Sequence, residues 1–224
     1  MKYVVLLSGG LDSSTVMGIV RQKEKAENVF ALSINYNQRH KKELESAKKI
    51  AEYYGVDHKI MNLDLRAFGG SSLTSNIEVP IDRNIEQMGK DIPITYVPGR
   101  NTIFISLALA YAETIDADSI ALGVNALDYS GYPDCRPEFI SKFRELSELA
   151  NKRGVEGKPI GIYTPIIDKT KEQIVKIGTE IGVPYKDTWS CYNGREKACG
   201  KCDSCILRLE GFEKNGLVDP IEYE

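Results

Sequence analysis

A doubly wound parallel α/β sheet is the fold that this sequence predicts, and three observations carry it. Short apolar runs of strand length alternate with helical patterns from residue 3 to residue 181. The runs are apolar along their length, as strands buried on both faces are. The first run opens onto a glycine turn with a helical pattern directly behind it, the arrangement that builds an anion site at the carboxyl edge of such a sheet.

Tyr3-Val4-Val5-Leu6-Leu7 is the first strand, and Ser8-Gly9-Gly10-Leu11-Asp12-Ser13-Ser14 is the turn. Two glycines let the backbone approach an anion, the following helix aims free N–H groups at it, and three serines add hydroxyl donors. The alternative is an ordinary serine- and glycine-rich βα turn. A helix follows from Ser13 to about Lys23, with Val16, Met17, Ile19 and Val20 as its apolar surface. The second strand, 28–34, ends in a polar burst, Asn35-Tyr36-Asn37-Gln38-Arg39-His40, which falls beside the glycine turn where open α/β sheets bind ligands. Leu44, Ala47, Ala51 and Tyr54 give an amphipathic helix over 41–54 that Gly55 stops, and 59–63 is a short third strand.

Residues 64–96 break the alternation and read as an active-site flap or an interface segment. Tyr96-Val97-Pro98-Gly99-Arg100-Asn101 then opens a helix whose residues 102–112 have almost no polar face; it is expected to be buried, against a second subunit in a homodimer. A fourth strand, 118–123, leads into the polar and aromatic segment 125–136, and Pro137 starts a charged helix to about Arg153. The fifth strand spans 160–164. Thr170 with Gln173 forms a capping box for a helix with Ile174, Ile177 and Ile181 on its buried stripe.

Cys191, Cys199, Cys202 and Cys205 crowd into the C-terminal segment, and such spacing closes a tetrahedron around a metal. Four thiolates hold either zinc or an iron–sulfur cluster; zinc in a structural role is the favoured reading, since four cysteines leave no open position. Cys135 stands apart from that spacing. The domain reading is an ATP-binding α/β unit over 1–185 and a four-cysteine, zinc-binding segment over 186–224.

With 224 residues the chain is long enough for a substantial core, and 29 basic against 32 acidic residues, a net charge of −3 and a pI of 5.6 favour a small-molecule substrate over a polyanion. No apolar run reaches membrane-spanning length and the N-terminus lacks a signal-type apolar stretch, so no membrane association and a cytoplasmic location are expected.

The turn lacks the lysine of the Walker loop and the glycine spacing of the dinucleotide loop. It resembles instead the PP-loop of the ATP pyrophosphatases, a Rossmann-like fold of the adenine nucleotide α-hydrolase type. Together with residues 35–40, 97–101, Ser130-Gly131-Tyr132-Pro133-Asp134-Cys135-Arg136 and Ser190-Cys191-Tyr192-Asn193-Gly194 with the Cys199, Cys202 and Cys205 triplet, the chain resembles the 7-cyano-7-deazaguanine synthases along nearly its whole length. The resemblance implies an ATP- and Mg2+-dependent ligase that takes 7-carboxy-7-deazaguanine and ammonia to the nitrile through adenylated intermediates, for tRNA queuosine or archaeosine, without binding nucleic acid itself. It implies that Leu7, Ser8, Gly9, Gly10, Leu11, Asp12, Ser13, Ser14, Thr15, Val16 and Met17, with Gln38 and Arg39, hold ATP, and that Asp12 and Ser13 act in catalysis. Arg100 or Arg136 is expected to receive the substrate carboxylate. Asp128 or Asp134 is expected to accept the guanine-like edge, with Tyr129 or Tyr132 stacking. Rival readings are a PP-loop thiolase acting on tRNA and a zinc-knuckle nucleic-acid-binding module.

Overall fold

The computed structural model describes residues 1–39, 41–84, 88, 91–127 and 131–224. Five strands, β1 (Tyr3–Leu6), β2 (Val29–Asn35), β3 (Asp57–Asn62), β4 (Ser119–Ala121) and β5 (Gly161–Tyr163), form one sheet in the order β3-β2-β1-β4-β5, with every pairing parallel. The chain winds outward from β1 in one direction and from β4 in the other. The switch point therefore lies between the carboxyl ends of β1 and β4, where ligands enter such sheets.

Alternation along the central strands feeds two cores. Val4, Leu32 and Ile120 face α3 (Arg100–Thr114) and α4 (Pro137–Leu149), whereas Val5, Ala31 and Ala121 face α1 (Leu11–Lys23), α2 (Lys42–Tyr54) and α6 (Lys171–Glu180). Val4 and Val5 are both fully buried, which explains why the strand reads as a continuous apolar run. Gly55 ends α2 at φ +62°, its N–H returning to Ala51 and Glu52, and the Thr170–Gln173 box caps α6 in both directions.

One sequence expectation is corrected. The helix expected from Pro137 to Arg153 stops at Leu149; α5 (Lys152–Val155) is a separate turn capped by Asn151, and Gly154 lies so close to the Ser147 and Glu148 carbonyls that no side chain fits there. Within one chain, Thr102, Ser106, Ala110 and Thr114 of α3 form an exposed stripe at four-residue spacing. Ser106 and Thr114 return their hydroxyls to the carbonyls four residues back, so short side chains make an exposed face that a hydrophobicity reading passes over.

The segment between β3 and α3 carries Leu65, Leu73 and Val79 into the core. It is tied to the cysteine segment by Asp82 N–H to the Lys201 carbonyl (2.8 Å) and by an Arg83–Asp203 ion pair (2.6 Å). The C-terminal segment is likewise built into the main body: its four cysteines share the core of β1, β2 and β4, and α7 (Asp203–Glu213) packs along α6. Arg208 on α7 is almost fully buried and forms a two-pronged pair with Asp219 (2.6 and 2.9 Å), while also donating to Thr188 Oγ1 and the Tyr185 carbonyl. Among the described residues no helix is long and apolar enough to cross a membrane.

Candidate active site and metal centre

At the end of β1 the ladder continues through Leu7 N–H to the Leu32 carbonyl, and the chain then turns on Gly9 at φ +86°. Gly9 is pressed onto the first turns of α2: a Cβ there would fall 2.5 Å from the Ala47 amide nitrogen, and closer to the Glu43 carbonyl. From the other side Trp189 N–H donates to the Gly9 carbonyl at 2.9 Å. Gly10, in ordinary extended geometry, precedes α1, which leaves the first N–H groups of that helix facing the switch point.

Serine hydroxyls knit this turn. Ser13 Oγ accepts from Ser8 N–H (3.2 Å) and lies 3.0 Å from Ser8 Oγ, which accepts from Gly10 N–H. Ser14 Oγ is buried with no hydrogen-bond partner among the described residues. Thr15 bonds to Leu11 and to the Tyr185 hydroxyl, and Val16 and Met17 are core residues, so these three support the helix from behind. The Asp12 carboxylate receives Lys171 Nζ at 2.7 and 2.8 Å.

Around this turn opens a cavity of about 280 Å³. Leu7, Ser8, Gly10, Leu11, Asp12 and Ser13 line it from β1 and α1, Gln38 and Glu43 from the edge of β2 and α2, and Arg100 and Asn101 from the start of α3. Tyr132, Cys135, Lys171, Trp189, Tyr192 and Arg208 close it. The Arg100 guanidinium stands 5.7 Å from the centre of the Tyr132 ring. Burial works against its charge, but Tyr36, Tyr132, Cys135 and Asp134 outweigh that and hold its pKa above the ordinary value. Burial pushes the Glu43 carboxyl up to about 7 against the pull of Arg100.

Of the other residues expected at the site, Asp134 is buried just behind the cavity. Its Oδ2 accepts Asn101 N–H at 3.1 Å, while Oδ1 is buried without a partner among the described residues. Asn101 also donates to the Asp134 carbonyl and to Cys135 Sγ (3.3 Å), sewing the 132–135 turn to the start of α3. Arg39 is exposed and donates to the Ile77 carbonyl, and Arg136 is an exposed residue ahead of α4; neither lines the cavity. Asp128 and Tyr129 lie outside the described residues.

Glu43, Lys171, Trp189 and Arg208 were not singled out from the sequence, whereas Asn101 and Tyr192 lie in stretches that carry the resemblance. Lys171 had a usable signal, since the capping box places it at the start of a helix that follows a strand, the edge where these sheets bind ligands. Glu43 and Arg208 had none, as each reads as an ordinary charge on an amphipathic helix.

The four C-terminal cysteines converge, all buried, with their Sγ atoms within 4.8 Å of one another and none in a disulfide. Tetrahedral thiolates around zinc stand about 3.8 Å apart, from a metal–sulfur distance of about 2.3 Å. Cys191 Sγ accepts the N–H groups of Asn193 and Cys199, and Cys199 Sγ those of Lys201 and Cys202, all at 3.4 Å. Backbone donors aimed at sulfur favour thiolates. Hydrogen bonds from Cys202 and Cys205, ahead of those from the backbone, hold Cys191 well below the usual thiol range. The donor set fits a metal ion.

The fold and the glycine turn define a PP-loop protein of the ATP pyrophosphatase type. Two solved structures share that fold: NMN synthetase from Francisella tularensis (TM-score 0.51, 14% identical, covering 97% of this chain and 78% of that one), and the U34-tRNA thiolase NcsA from Methanococcus maripaludis with its 4Fe–4S cluster (TM-score 0.50, 17% identical, covering 96% of this chain and 66% of that one). The family model of the queuosine biosynthesis protein QueC matches residues 2–216, and the chain belongs to that family. Relatives include the 7-cyano-7-deazaguanine synthases of Trichodesmium erythraeum, 54% identical over 99% of this chain and 100% of that one, and of Picrophilus torridus, 57% identical over 99% and 91%.

Proposed function

We propose that this chain is a 7-cyano-7-deazaguanine synthase, converting 7-carboxy-7-deazaguanine and ammonia to the nitrile with ATP. The observation that carries the reading is a PP-loop turn opening onto the same cavity as Arg100, a site where a carboxylate meets the α-phosphate of ATP. Leu7 to Ser13 hold the triphosphate, the loop N–H groups and the α1 N-terminus taking the charge of the leaving pyrophosphate. Lys171 and Asp12 stand at the same edge, the lysine toward phosphate and the carboxylate as the group that would hold Mg2+, which when bound neutralises phosphate charge. Gln38 faces the same space. Arg100 pairs bidentately with the substrate carboxylate, and Tyr132 offers a ring face to the deazapurine.

The sequence of bonds follows. A carboxylate oxygen attacks the α-phosphorus and the bond to pyrophosphate breaks. Ammonia attacks the acyl carbon, loses a proton, and AMP departs with the carboxylate oxygen, leaving the amide. The amide oxygen attacks a second ATP in the same way, after which loss of AMP and the nitrogen-bound protons leaves the nitrile. No protein nucleophile enters. The cysteine cluster holds structural zinc, supported by four closed ligands and their N–H donors. A homodimer is the assembly that fits the half-exposed Ile103 and Leu107 of α3.

Mass spectrometry of purified protein with ATP, Mg2+, ammonium and 7-carboxy-7-deazaguanine tests the reading. Nitrile with AMP is the expected result; AMP without nitrile leaves the loop chemistry standing and removes the acceptor.

A further inference from the structure

Among the described residues, the acidic residues that line the cavity are Asp12 and Glu43. Asp12 is engaged by Lys171. Glu43 has no hydrogen bond to its carboxylate and no ion pair among the described residues, although Arg100, of opposite charge, lines the same cavity. Neighbouring groups hold the Arg100 charge, whereas the Glu43 carboxyl, penalised by burial and joined by no ion pair, is costly to keep unless a ligand donates to it. Resting on the deazapurine reading above, that ligand has a carboxylate at one end for Arg100. At the other end it carries an exocyclic amine beside a ring N–H, two parallel donors that match one carboxylate.

We propose that Glu43 reads the aminopyrimidinone edge of the deazapurine, accepting the ring N–H and the exocyclic amine on its two carboxylate oxygens. Asp134, the other acidic side chain close by, does not line the cavity and has one oxygen committed to Asn101 N–H. The placement of Glu43 is rigid, because its carbonyl lies against Gly9 and its helix cannot shift without moving the turn. Tyr36, Phe104 and Tyr132 supply aromatic faces for a flat bicycle between the two charges. The same carboxylate rejects adenine, whose corresponding edge pairs a donor with a ring-nitrogen acceptor, and so keeps the base of ATP out of the acceptor subsite.

The test is the discrimination between 7-carboxy-7-deazaguanine and its analogue without the exocyclic amine, by kcat/KM from AMP release, in the wild type and in Glu43→Gln. The wild type is expected to prefer the amino compound by at least about 100-fold, since an unpaired buried acceptor rejects the analogue. Glu43→Gln is expected to bring the ratio within about tenfold by losing the amino compound, with ATP affinity unchanged as the check on its fold. A ratio kept in Glu43→Gln with intact activity overturns the proposal. Should that variant not fold, the wild type alone decides: the analogue methylated on the ring N–H binds at least about 100-fold more weakly, and equal binding overturns the proposal. A wild type that turns over neither compound removes the deazapurine reading itself, and this assignment with it.

Discussion

Gly9 and Gly10 are adjacent in sequence, yet the structure gives them different work. At Gly9 an alanine must hold φ +86°, which costs about 1–2 kcal/mol for a residue with a Cβ. Its Cβ would sit 2.5 Å from the Ala47 amide and 2.9 Å from Ser46 Cβ, where ordinary contact begins at 3.4 Å, so the turn must lift off α2 by about 1 Å. Such overpacking adds about 1–3 kcal/mol, for a total of about 2–5 kcal/mol. A displacement of that size also misplaces the triphosphate by enough to lower turnover about 100-fold. At Gly10, φ is −77°, and a Cβ meets Ser8 Oγ at 3.4 Å and the Trp189 carbonyl at 3.6 Å, both residues of the cavity wall. Gly10→Ala is therefore expected to lose no more than about 1 kcal/mol, the difference between the two at a helix N-cap, while carboxylate-dependent ATP–pyrophosphate exchange falls at least about tenfold. Urea unfolding and exchange on the two variants separate the roles. A Gly9→Ala protein with the wild-type urea midpoint would refute the packing argument, and a Gly10→Ala protein as destabilised as Gly9→Ala would refute the division between them.

Three further outcomes follow from the same geometry. Arg208→Ala leaves the Asp219 carboxylate, whose side chain is only 1% exposed, charged and unpaired, and is expected to lose about 3–5 kcal/mol in denaturant unfolding; a loss under about 1 kcal/mol would contradict the buried pair. Metal analysis is expected to find one ion per chain, lost in Cys205→Ser, and stripping it should change the fluorescence of Trp189, the single tryptophan, whose ring N–H donates to the Cys191 carbonyl at 2.9 Å. An unchanged emission after complete removal would argue against the cluster setting Trp189. Burial, and then the Lys48 charge, hold His58 below its ordinary 6.5, so folding favours the neutral ring. Its contribution is complete above 6.5, the unfolded value, and is lost as pH falls through the lowered folded value; an NMR titration placing His58 at or above 6.5 would contradict it.

Much of this was legible because it is local. The strands announce themselves as apolar runs, the turn after β1 as glycines between a strand and a helix, and the buried cysteine cluster as four cysteines at short spacing. α3 is harder to read, because Ser and Thr hydroxyls bonded to their own helix count as nearly apolar in a pattern although they are exposed within one chain. The break at residues 150–151 was hidden because Asn151 and Gly154 act through a cap and a backbone contact, neither of which alters hydrophobic periodicity. The cavity was legible only where its residues neighbour a motif. Glu43, Lys171 and Arg208 arrive from three helices far apart in sequence, and only the sheet order brings them beside the turn. In a linear reading they are indistinguishable from the charges that solubilise a helix.

The mechanism rests on one chemical statement, that the carboxylate of 7-carboxy-7-deazaguanine is adenylated by ATP held on the Ser8–Ser13 turn. The most direct measurement gives the protein a substrate labelled with oxygen-18 in both carboxylate positions and resolves the nucleotide products by mass. Attack on the α-phosphorus predicts AMP carrying one labelled oxygen, from the first activation and again from the second, alongside unlabelled pyrophosphate. Label in inorganic phosphate with ADP, or AMP without label, would contradict adenylation of the carboxylate.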